Sequence, residues 1–126
     1  DGWKLVFSGD TRPCEAVVRA ARDATLLVHE ATFEDALRDE ALAKRHSTTG
    51  EALDVAARAG VNRVVLTHFS QRYPKVPTLG GADGERLAGI AFDLMTLNLA
   101  DLERLPLLNR PLQAILADPE DVEAEE

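Results

Sequence analysis

The sequence predicts a layered α/β fold, because segments typical of strands alternate with segments typical of helices along its 126 residues. Short runs rich in valine and leucine have the length of buried strands, and apolar residues at three- and four-residue spacing recur between them. The predicted order is strand, helix, strand, helix, helix, strand, strand. This alternation favours parallel strands joined by helical crossovers.

The strands and helices are predicted as follows. They are a strand over 3–7, a helix over 13–22, a strand over 24–28, helices over 33–45 and 48–59, strands over 61–67 and 87–99, and a short closing helix over 112–117. Two of the strands, 24–28 and 61–67, are continuous apolar runs with branched residues, as strands buried on both faces are. Residues 70–84 hold two prolines and three glycines and are expected to be mostly loop.

Local signals justify the remaining boundaries. Pro13 suits the first turn of a helix, where its missing N–H costs nothing. Thr48 and Glu51 have the spacing of a capping box, which predicts a helix start, and Gly60 suits the end of that helix. The last predicted strand, 87–99, alternates apolar and polar residues, with Gly89 as a bulge.

The composition excludes several classes of protein. A single cysteine, Cys14, rules out an internal disulfide framework and a zinc site built from cysteines. The apolar runs are far shorter than the ~20 residues of a membrane span, so we expect no membrane association. The net charge of −8, from 14 basic and 22 acidic residues, gives no electrostatic footprint for nucleic acid. RNA contact therefore requires a local patch or a longer chain.

The chain is expected to divide into three parts. Residues 1–100 form the domain proper, 101–117 close it with a short helix, and 118–126 are an acidic tail that is solvated or disordered. The sequence starts without methionine on a strand-like run. We therefore expect a segment of a longer parent protein, with no targeting segment from which to infer its compartment.

Chemically capable residues follow three of the predicted strands. Asp10 follows the first strand, His29 and Glu30 follow the second, and His68 follows the third; His46 stands before a helix. Since the carboxyl ends of parallel strands meet at one edge of a sheet, where ligands gather, the pattern predicts one shared site.

Each of these residues also has a structural interpretation. Asp10 is either a turn residue or a ligand for cations, and His68 is either a half-buried structural residue or an imidazole ligand. His46 either belongs to a helix cap or transfers protons, since its unperturbed pKa lies near ~6.5. Glu30 either caps or orients a neighbour. For His29, at the border of a buried strand, a structural role is favoured.

Two further side chains lie in the loop after the third strand. Arg72 and Tyr73 either hold a phosphate and stack on a base or form an ordinary surface pair.

Four motifs together resemble tRNase Z, the tRNA 3′-processing endoribonuclease. They are Ser8-Gly-Asp-Thr-Arg-Pro-Cys14, His29-Glu-Ala-Thr32, His46-Ser-Thr48 and His68-Phe-Ser-Gln-Arg-Tyr73. The resemblance runs from about residue 3 to residue 95, is weaker to residue 117, and is closest to the end of the long eukaryotic form. It implies the carboxy-terminal half of a metallo-β-lactamase (αββα) fold, with residues 1–100 as part of the nuclease domain.

The resemblance also implies roles for individual residues. Asp10 corresponds to a carboxylate that bridges two zinc ions, and His68 corresponds to a terminal ligand of one of them. His46 matches a histidine that assists proton transfer near the leaving oxygen, and Glu30 supports that region. The segment implied to line the RNA backbone consists of Ser47, Thr48 and Thr49. The implied reaction removes the 3′ trailer from precursor tRNA.

The chain departs from the family by what it lacks. The family's metal motif, His-x-His-x-Asp-His, appears nowhere in the sequence, so only Asp10 and His68 remain of the expected ligands. We therefore expect the other zinc ligands in the amino-terminal half of the parent protein and no activity from this segment alone. The family suggests the nucleus or the mitochondrion, with the cytoplasm also possible.

Two alternatives remain at this point. One is another hydrolase of the metallo-β-lactamase fold, acting on a thioester, lactone or β-lactam. The other is a non-catalytic α/β interaction module in which all these residues are caps and turns.

Overall fold

The computed structural model describes residues 2–71 and 76–116. It contains four strands, β1 Leu5–Phe7, β2 Leu26–Glu30, β3 Arg63–Thr67 and β4 Ala88–Ile90, and five α-helices, α1 Glu15–Ala20, α2 Arg38–Lys44, α3 Thr49–Ala59, α4 Gly81–Leu87 and α5 Asn109–Leu116. Two 3₁₀ helices, Asp35–Leu37 and Leu99–Leu108, precede α2 and α5. The predicted acidic tail, 118–126, lies outside the described residues.

The four strands form one parallel sheet in the order β1-β2-β3-β4. Phe7 pairs with Val28, Val28 with Val65, and Val65 with Gly89, so these four residues lie in one row across the sheet. Helices connect each strand to the next, because parallel neighbours require a crossover. The predicted α/β class with parallel strands is confirmed.

One face of the sheet is filled by helices. Leu27, Val64 and Leu66 point to this face and form one core with the apolar sides of α1 and α3. Alternate residues of the strands point to the opposite face, as the two-residue repeat requires. Leu26 and Val65 on that second face contact the long 3₁₀ helix.

The second face is covered along only part of its width. The long 3₁₀ helix covers the side near β4, whereas Leu5 and Phe7 of the edge strand β1 are 52% and 71% exposed. Trp3, just before the strand, is 67% exposed. Exposed apolar side chains beside an unpaired strand edge are typical of a surface that another part of a protein covers.

The local boundary signals of the third helix are confirmed. Thr48 accepts a hydrogen bond from the Glu51 N–H at 3.2 Å, and the Glu51 carboxylate accepts one from the Thr48 N–H at 3.0 Å. Gly60 ends the helix with a φ of +66°, which glycine adopts without strain. These contacts are within a few residues in sequence, which is why the sequence predicts them.

The strand predicted over 87–99 is too long, because only Ala88–Ile90 form a strand. Residues Gly81–Leu87 form α4, the strand β4 has only three residues, and the chain then leaves the sheet. Gly89 is no bulge: a Cβ there would overlap the Leu105 side chain, so the glycine lets the long 3₁₀ helix pack onto the sheet. After Ile90 the alternating residues lie in a turn and in irregular chain, and the long 3₁₀ helix begins only at Leu99.

Smaller differences concern the starts of helices. Pro13 lies before α1, which begins after Cys14, an exposed free cysteine. The loop predicted over 70–84 ends earlier, because α4 starts at Gly81. The closing helix begins three residues before its predicted start, at Asn109, where the preceding 3₁₀ helix ends.

Within the described ranges, no helix combines the length and the apolar character needed to cross a bilayer.

We predict that Gly89→Ala destabilises the protein, because the added methyl group overpacks the contact with Leu105. The expected loss in free energy of unfolding is about 1–3 kcal/mol, measured by chemical denaturation of the parent protein. Gly80→Ala is the matched control, since its Cβ would meet no atom within 4 Å. Equal stability of the two variants would show that the packing of Leu105 on β4 is not tight.

Candidate active site

The candidate site lies at the carboxyl edge of the sheet. Asp10 follows β1 by three residues, Glu30 is the last residue of β2, and His68 comes directly after β3. Segment 46–49, which holds His46, is held at the same edge by Phe33. The Phe33 N–H donates to the Ser47 carbonyl, and the Phe33 carbonyl accepts from the Thr49 N–H. Four chemically capable side chains therefore meet, although 58 residues of sequence separate the first from the last.

Asp10, His46 and His68 form a cluster of potential metal ligands. One ligating atom from each lies within 4.8 Å of the other two. The Nε2 atom of His68 is 3.7 Å from an Asp10 carboxylate oxygen, and the rings of His46 and His68 stack with centroids 5.3 Å apart. The Asp10 and His68 side chains are 60% and 48% exposed, so a ligand reaches them from solvent.

Glu30 is a buried carboxylate that lies next to the cluster and binds His46. Its side chain is 2% exposed, and its carboxylate accepts five hydrogen bonds. The donors are the backbone N–H groups of Thr11, Thr32 and Ser47, the Thr32 hydroxyl and the His46 ring, at 2.8–3.1 Å. Each carboxylate oxygen therefore has two or three donors, which is the full capacity of a buried carboxylate.

These donors keep Glu30 ionised. Burial by itself raises the pKa of the carboxyl group, since it disfavours the charged form. Hydrogen bonds from Thr32, His46 and Ser47 outweigh burial, so the pKa of Glu30 lies below its ordinary value. A buried anion is therefore present beside His46 at neutral pH.

Hydrogen counting assigns the tautomers of two histidines. An ionised Glu30 only accepts, so the His46 Nδ1 atom, 2.8 Å away, carries a proton and donates it. The Thr32 hydroxyl donates its one proton to Glu30 at 2.9 Å and therefore accepts from His68 Nδ1 at 2.7 Å. In the neutral tautomer with this hydrogen bond, Nε2 is the nitrogen of His68 without a proton, and it lies 3.7 Å from an Asp10 carboxylate oxygen.

The backbone at two of these strand ends is unusual. Gly9, before Asp10, has a φ of +62°, and His68 has a φ of +63°, in the left-handed region. Glycine adopts this conformation freely, but for a histidine it carries strain of about 1–3 kcal/mol. Such strain persists where the surrounding contacts fix the residue, and it is typical of active sites.

The three hydroxyl residues after His46 are buried. Ser47, Thr48 and Thr49 are at most 4% exposed; the Ser47 hydroxyl donates to the Thr11 carbonyl at 2.6 Å, and the Thr48 hydroxyl belongs to the capping box. These two hydroxyls are therefore engaged inside the protein. Contact of this segment with RNA stays a prediction.

The other two residues predicted to bind substrate, Arg72 and Tyr73, lie outside the described residues. An open cleft of about 790 Å³ adjoins the cluster and is lined in part by Phe7, Asp10, Glu30, His68 and Phe92. Two of the candidate ligands, Asp10 and His68, therefore line an open cleft.

Two contributors, Thr32 and Arg12, were not singled out from the sequence, and Glu51 was predicted only as part of the capping box. Thr32 lies within hydrogen-bond distance of Glu30, His46 and His68 through one hydroxyl. Arg12 and Glu51 form a two-pronged ion pair beside the His46 segment. The sequence offered one signal for Arg12 and Thr32, namely that they lie within the motifs 8–14 and 29–32. Their roles depend on contacts with residues that are distant in sequence, so the motifs alone do not predict them.

No protein-family model matches the chain. Among curated proteins, the mitochondrial tRNase Z TRZ3 of Arabidopsis thaliana is 63% identical over 105 residues, which is 83% of this chain and 12% of that protein. The zinc phosphodiesterase ELAC protein 2 of Homo sapiens is 51% identical over 116 residues, 92% of this chain and 14% of that protein.

Solved structures agree with these relatives. A long-form RNase Z from yeast matches with a TM-score of 0.70 and 36% identity, over 83% of this chain and 15% of that chain. The short form of human tRNase Z matches with a TM-score of 0.61 and 34% identity, over 78% of this chain and 34% of that chain.

The parallel sheet and its structural neighbours define the class of protein: this is part of a metallo-β-lactamase fold, as the sequence resemblance implies. Within that class the chain is similar, over most of its own length, to a segment of tRNase Z proteins. It spans only 12–14% of the length of the curated relatives described above.

We predict that Glu30→Gln destabilises the parent protein by about 1–3 kcal/mol at pH 7, because an amide nitrogen leaves buried donors without an acceptor. The pKa of Glu30 is lowered by folding, so its carboxylate stabilises the fold above the unfolded value of about 4.3. That stabilisation is lost as pH falls through the lower folded pKa. The difference in free energy of unfolding between the unsubstituted protein and Glu30→Gln is therefore expected to become smaller in acid. Denaturant unfolding at several pH values measures it.

Glu85→Gln is the control for this prediction, because Glu85 forms an exposed ion pair with Arg110. Exposed pairs contribute little, so this variant is expected to stay within about 0–1 kcal/mol of the unchanged protein. A Glu30→Gln variant as stable as the control would mean that the five hydrogen bonds do not hold an ionised carboxylate.

Proposed function

We propose that this chain is the part of a zinc-dependent endoribonuclease that supplies its proton donor and some of its zinc ligands. In the parent protein, the enzyme hydrolyses a phosphodiester of precursor tRNA and removes the 3′ trailer. The observation that carries the proposal is the buried, ionised Glu30 that binds His46 beside the Asp10–His68 pair. The curated relatives, named as tRNase Z and zinc phosphodiesterase, support the same reaction.

The donor set at the cluster fits zinc. A carboxylate and an imidazole are ligands that zinc accepts, and hydrogen counting leaves the Nε2 atom of His68 free to bind a cation next to Asp10. Asp10 has two carboxylate oxygens and so can serve two ions. When bound, zinc supplies the Lewis acidity that offsets the phosphate charge and activates the attacking water.

Catalytic zinc sites generally have about three protein ligands per ion, so this chain holds only part of the set. The remaining ligands then come from the amino-terminal half of the parent protein. The exposed face formed by Leu5 and Phe7 is the place where that half covers the sheet, next to the cleft that contains Asp10.

His46 is proposed as the general acid. Its Nδ1–H donates to the Glu30 carboxylate at 2.8 Å, which fixes the orientation of the ring. The second ring nitrogen then gives a proton to the ribose 3′ oxygen as that oxygen leaves. The products are a tRNA with a 3′-hydroxyl and a trailer with a 5′-phosphate.

The RNA is proposed to lie along the edge of the sheet. The segment of Ser47, Thr48 and Thr49 adjoins the RNA backbone, while Arg72 holds a phosphate and Tyr73 stacks on a base. Because two Arabidopsis relatives are named as mitochondrial, we also infer that the parent protein acts in mitochondria.

We predict that His46→Ala lowers kcat of the parent protein on precursor tRNA by about 10²–10⁴-fold, the usual contribution of a positioned acid. Its zinc content, measured by mass spectrometry of the dialysed protein, is expected to stay unchanged. Asp10→Ala and His68→Ala are expected to lose both zinc and activity. Asp39→Asn, at an exposed position of α2, is the neutral control.

Two results would contradict the assignment of His46. Loss of zinc from His46→Ala, to the extent seen for Asp10→Ala, would make His46 a metal ligand. Full activity and zinc content in all three variants would support the non-catalytic interaction module. Hydrolysis of small thioesters or lactones, with precursor tRNA left intact, would support the other class of hydrolase.

The segment by itself is expected to bind zinc weakly and to leave precursor tRNA uncut, because it contributes only Asp10 and His68 to the proposed ligand set. The measurement is zinc per chain after dialysis, with the parent protein as the control. Two tightly held zinc ions per 126-residue chain would overturn this expectation.

A further inference from the structure

Arg12 connects the turn that holds Asp10 with the segment that holds His46. It lies two residues after Asp10, and its guanidinium donates to the carbonyl oxygen of His46 at 2.6 Å. The same guanidinium makes two hydrogen bonds to the Glu51 carboxylate, at 2.6 and 2.7 Å. A planar guanidinium that binds both oxygens of a carboxylate is held in one orientation.

Glu51 is itself fixed in place. Its carboxylate accepts from the Thr48 N–H, and its own N–H donates to the Thr48 hydroxyl, so it is locked to the start of α3. Burial raises the pKa of Glu51, but hydrogen bonding and charge from Arg12, with the Thr48 N–H, outweigh it, and the net pKa is lowered. The partner of Arg12 is therefore an anion on a rigid helix start.

Other contacts bind the same two segments together. The Ser47 hydroxyl donates to the Thr11 carbonyl at 2.6 Å, and the backbone N–H groups of Thr11 and Ser47 both donate to one oxygen of Glu30. These contacts attach the turn after Asp10 to the segment that starts at His46. Arg12 adds a hydrogen bond from the turn after Asp10 to the backbone carbonyl of His46 itself.

The charge of Arg12 is used within the protein. Both terminal nitrogens of the guanidinium are occupied, and Glu51 offsets its positive charge. The Arg12 side chain is 25% exposed and that of Glu51 is 17% exposed. A cation in this state is poorly suited to hold an RNA phosphate.

We propose that Arg12 is a positioning residue that fixes the proton donor His46 relative to the metal ligand Asp10. Arg12 touches neither the substrate nor the zinc; it acts through the His46 backbone and through Glu51. The inference rests on the proposed function, since it needs His46 as the acid and Asp10 at the metal.

The test uses Arg12→Lys in the parent protein. Lysine keeps the charge but cannot form the two-pronged pair and the carbonyl contact together. The expected result is a fall in kcat of about 10–100-fold, because small misplacements of a catalytic group cost rates of that order. KM, zinc content and the salt dependence of precursor tRNA binding are expected to stay unchanged.

Arg38→Lys is the matched control. Arg38 contacts the same Glu51 carboxylate at 3.4 Å, but its side chain is 74% exposed and, within the described residues, makes no hydrogen bond to His46. Its substitution is expected to change kcat by less than about twofold, as for other exposed pairs. The two variants each alter an arginine that contacts Glu51, but only Arg12 also binds the His46 carbonyl. A difference in kcat between them therefore reports the contact with His46.

A double variant shows whether Arg12 acts through His46. In a His46→Ala background, Arg12→Lys is expected to cause no further loss of kcat, because groups that act as a unit are not additive. Glu51→Gln, which keeps the shape of the pair, is expected to lower kcat in the same direction and serves if Arg12→Lys fails to fold.

Several results would overturn the inference. They are an unchanged kcat in both Arg12→Lys and Glu51→Gln, a loss that adds to that of His46→Ala, or a raised KM with a weaker salt dependence of binding, which indicates a phosphate contact. Failure of the proposed function gives a different result: either the unsubstituted parent protein leaves precursor tRNA uncut, or His46→Ala alone leaves its cleavage at the full rate.

Discussion

The candidate site depends on one buried charge, the Glu30 carboxylate. An unpaired carboxylate at 2% exposure would cost several kcal/mol, and here donors from three separate segments compensate for that cost. Thr11 comes from the turn after β1, Thr32 from the loop after β2, and Ser47 from the segment before α3. Because each segment must present its donor to the same group, the ionised carboxylate fixes their relative positions. The geometry of the site is thus a consequence of satisfying this charge.

The sheet explains why the site is open on one side. Helices α1 and α3 fill one face completely, whereas the long 3₁₀ helix covers only part of the other. Glu30 and Thr67 are paired across β2 and β3 on this second face and line the cleft. The exposed Leu5 and Phe7 continue the same face toward the edge. The surface proposed for the rest of the parent protein is therefore continuous with the site that needs its ligands.

Preorganisation is the physical feature shared by the catalytic proposal and the role assigned to Arg12. A group that transfers a proton accelerates a reaction only when its position is set before the substrate arrives. The left-handed backbone of His68, the single hydroxyl of Thr32 and the pairing of Arg12 all restrict the side chains at this edge. Each restriction limits the freedom of a side chain before a substrate binds, at a cost in strain or entropy.

The sequence by itself determined the features that depend on neighbouring residues. The capping box of Thr48 and Glu51 is one, and the placement of Asp10 and His68 after strands is another. Only the tertiary structure decided the rest. Leu105 packs on Gly89 of the short strand β4, and Thr32 and Arg12 join the site through hydrogen bonds to residues 36 and 34 positions away. Local patterns fix local conformation, but contacts between distant segments depend on how the sheet brings them together.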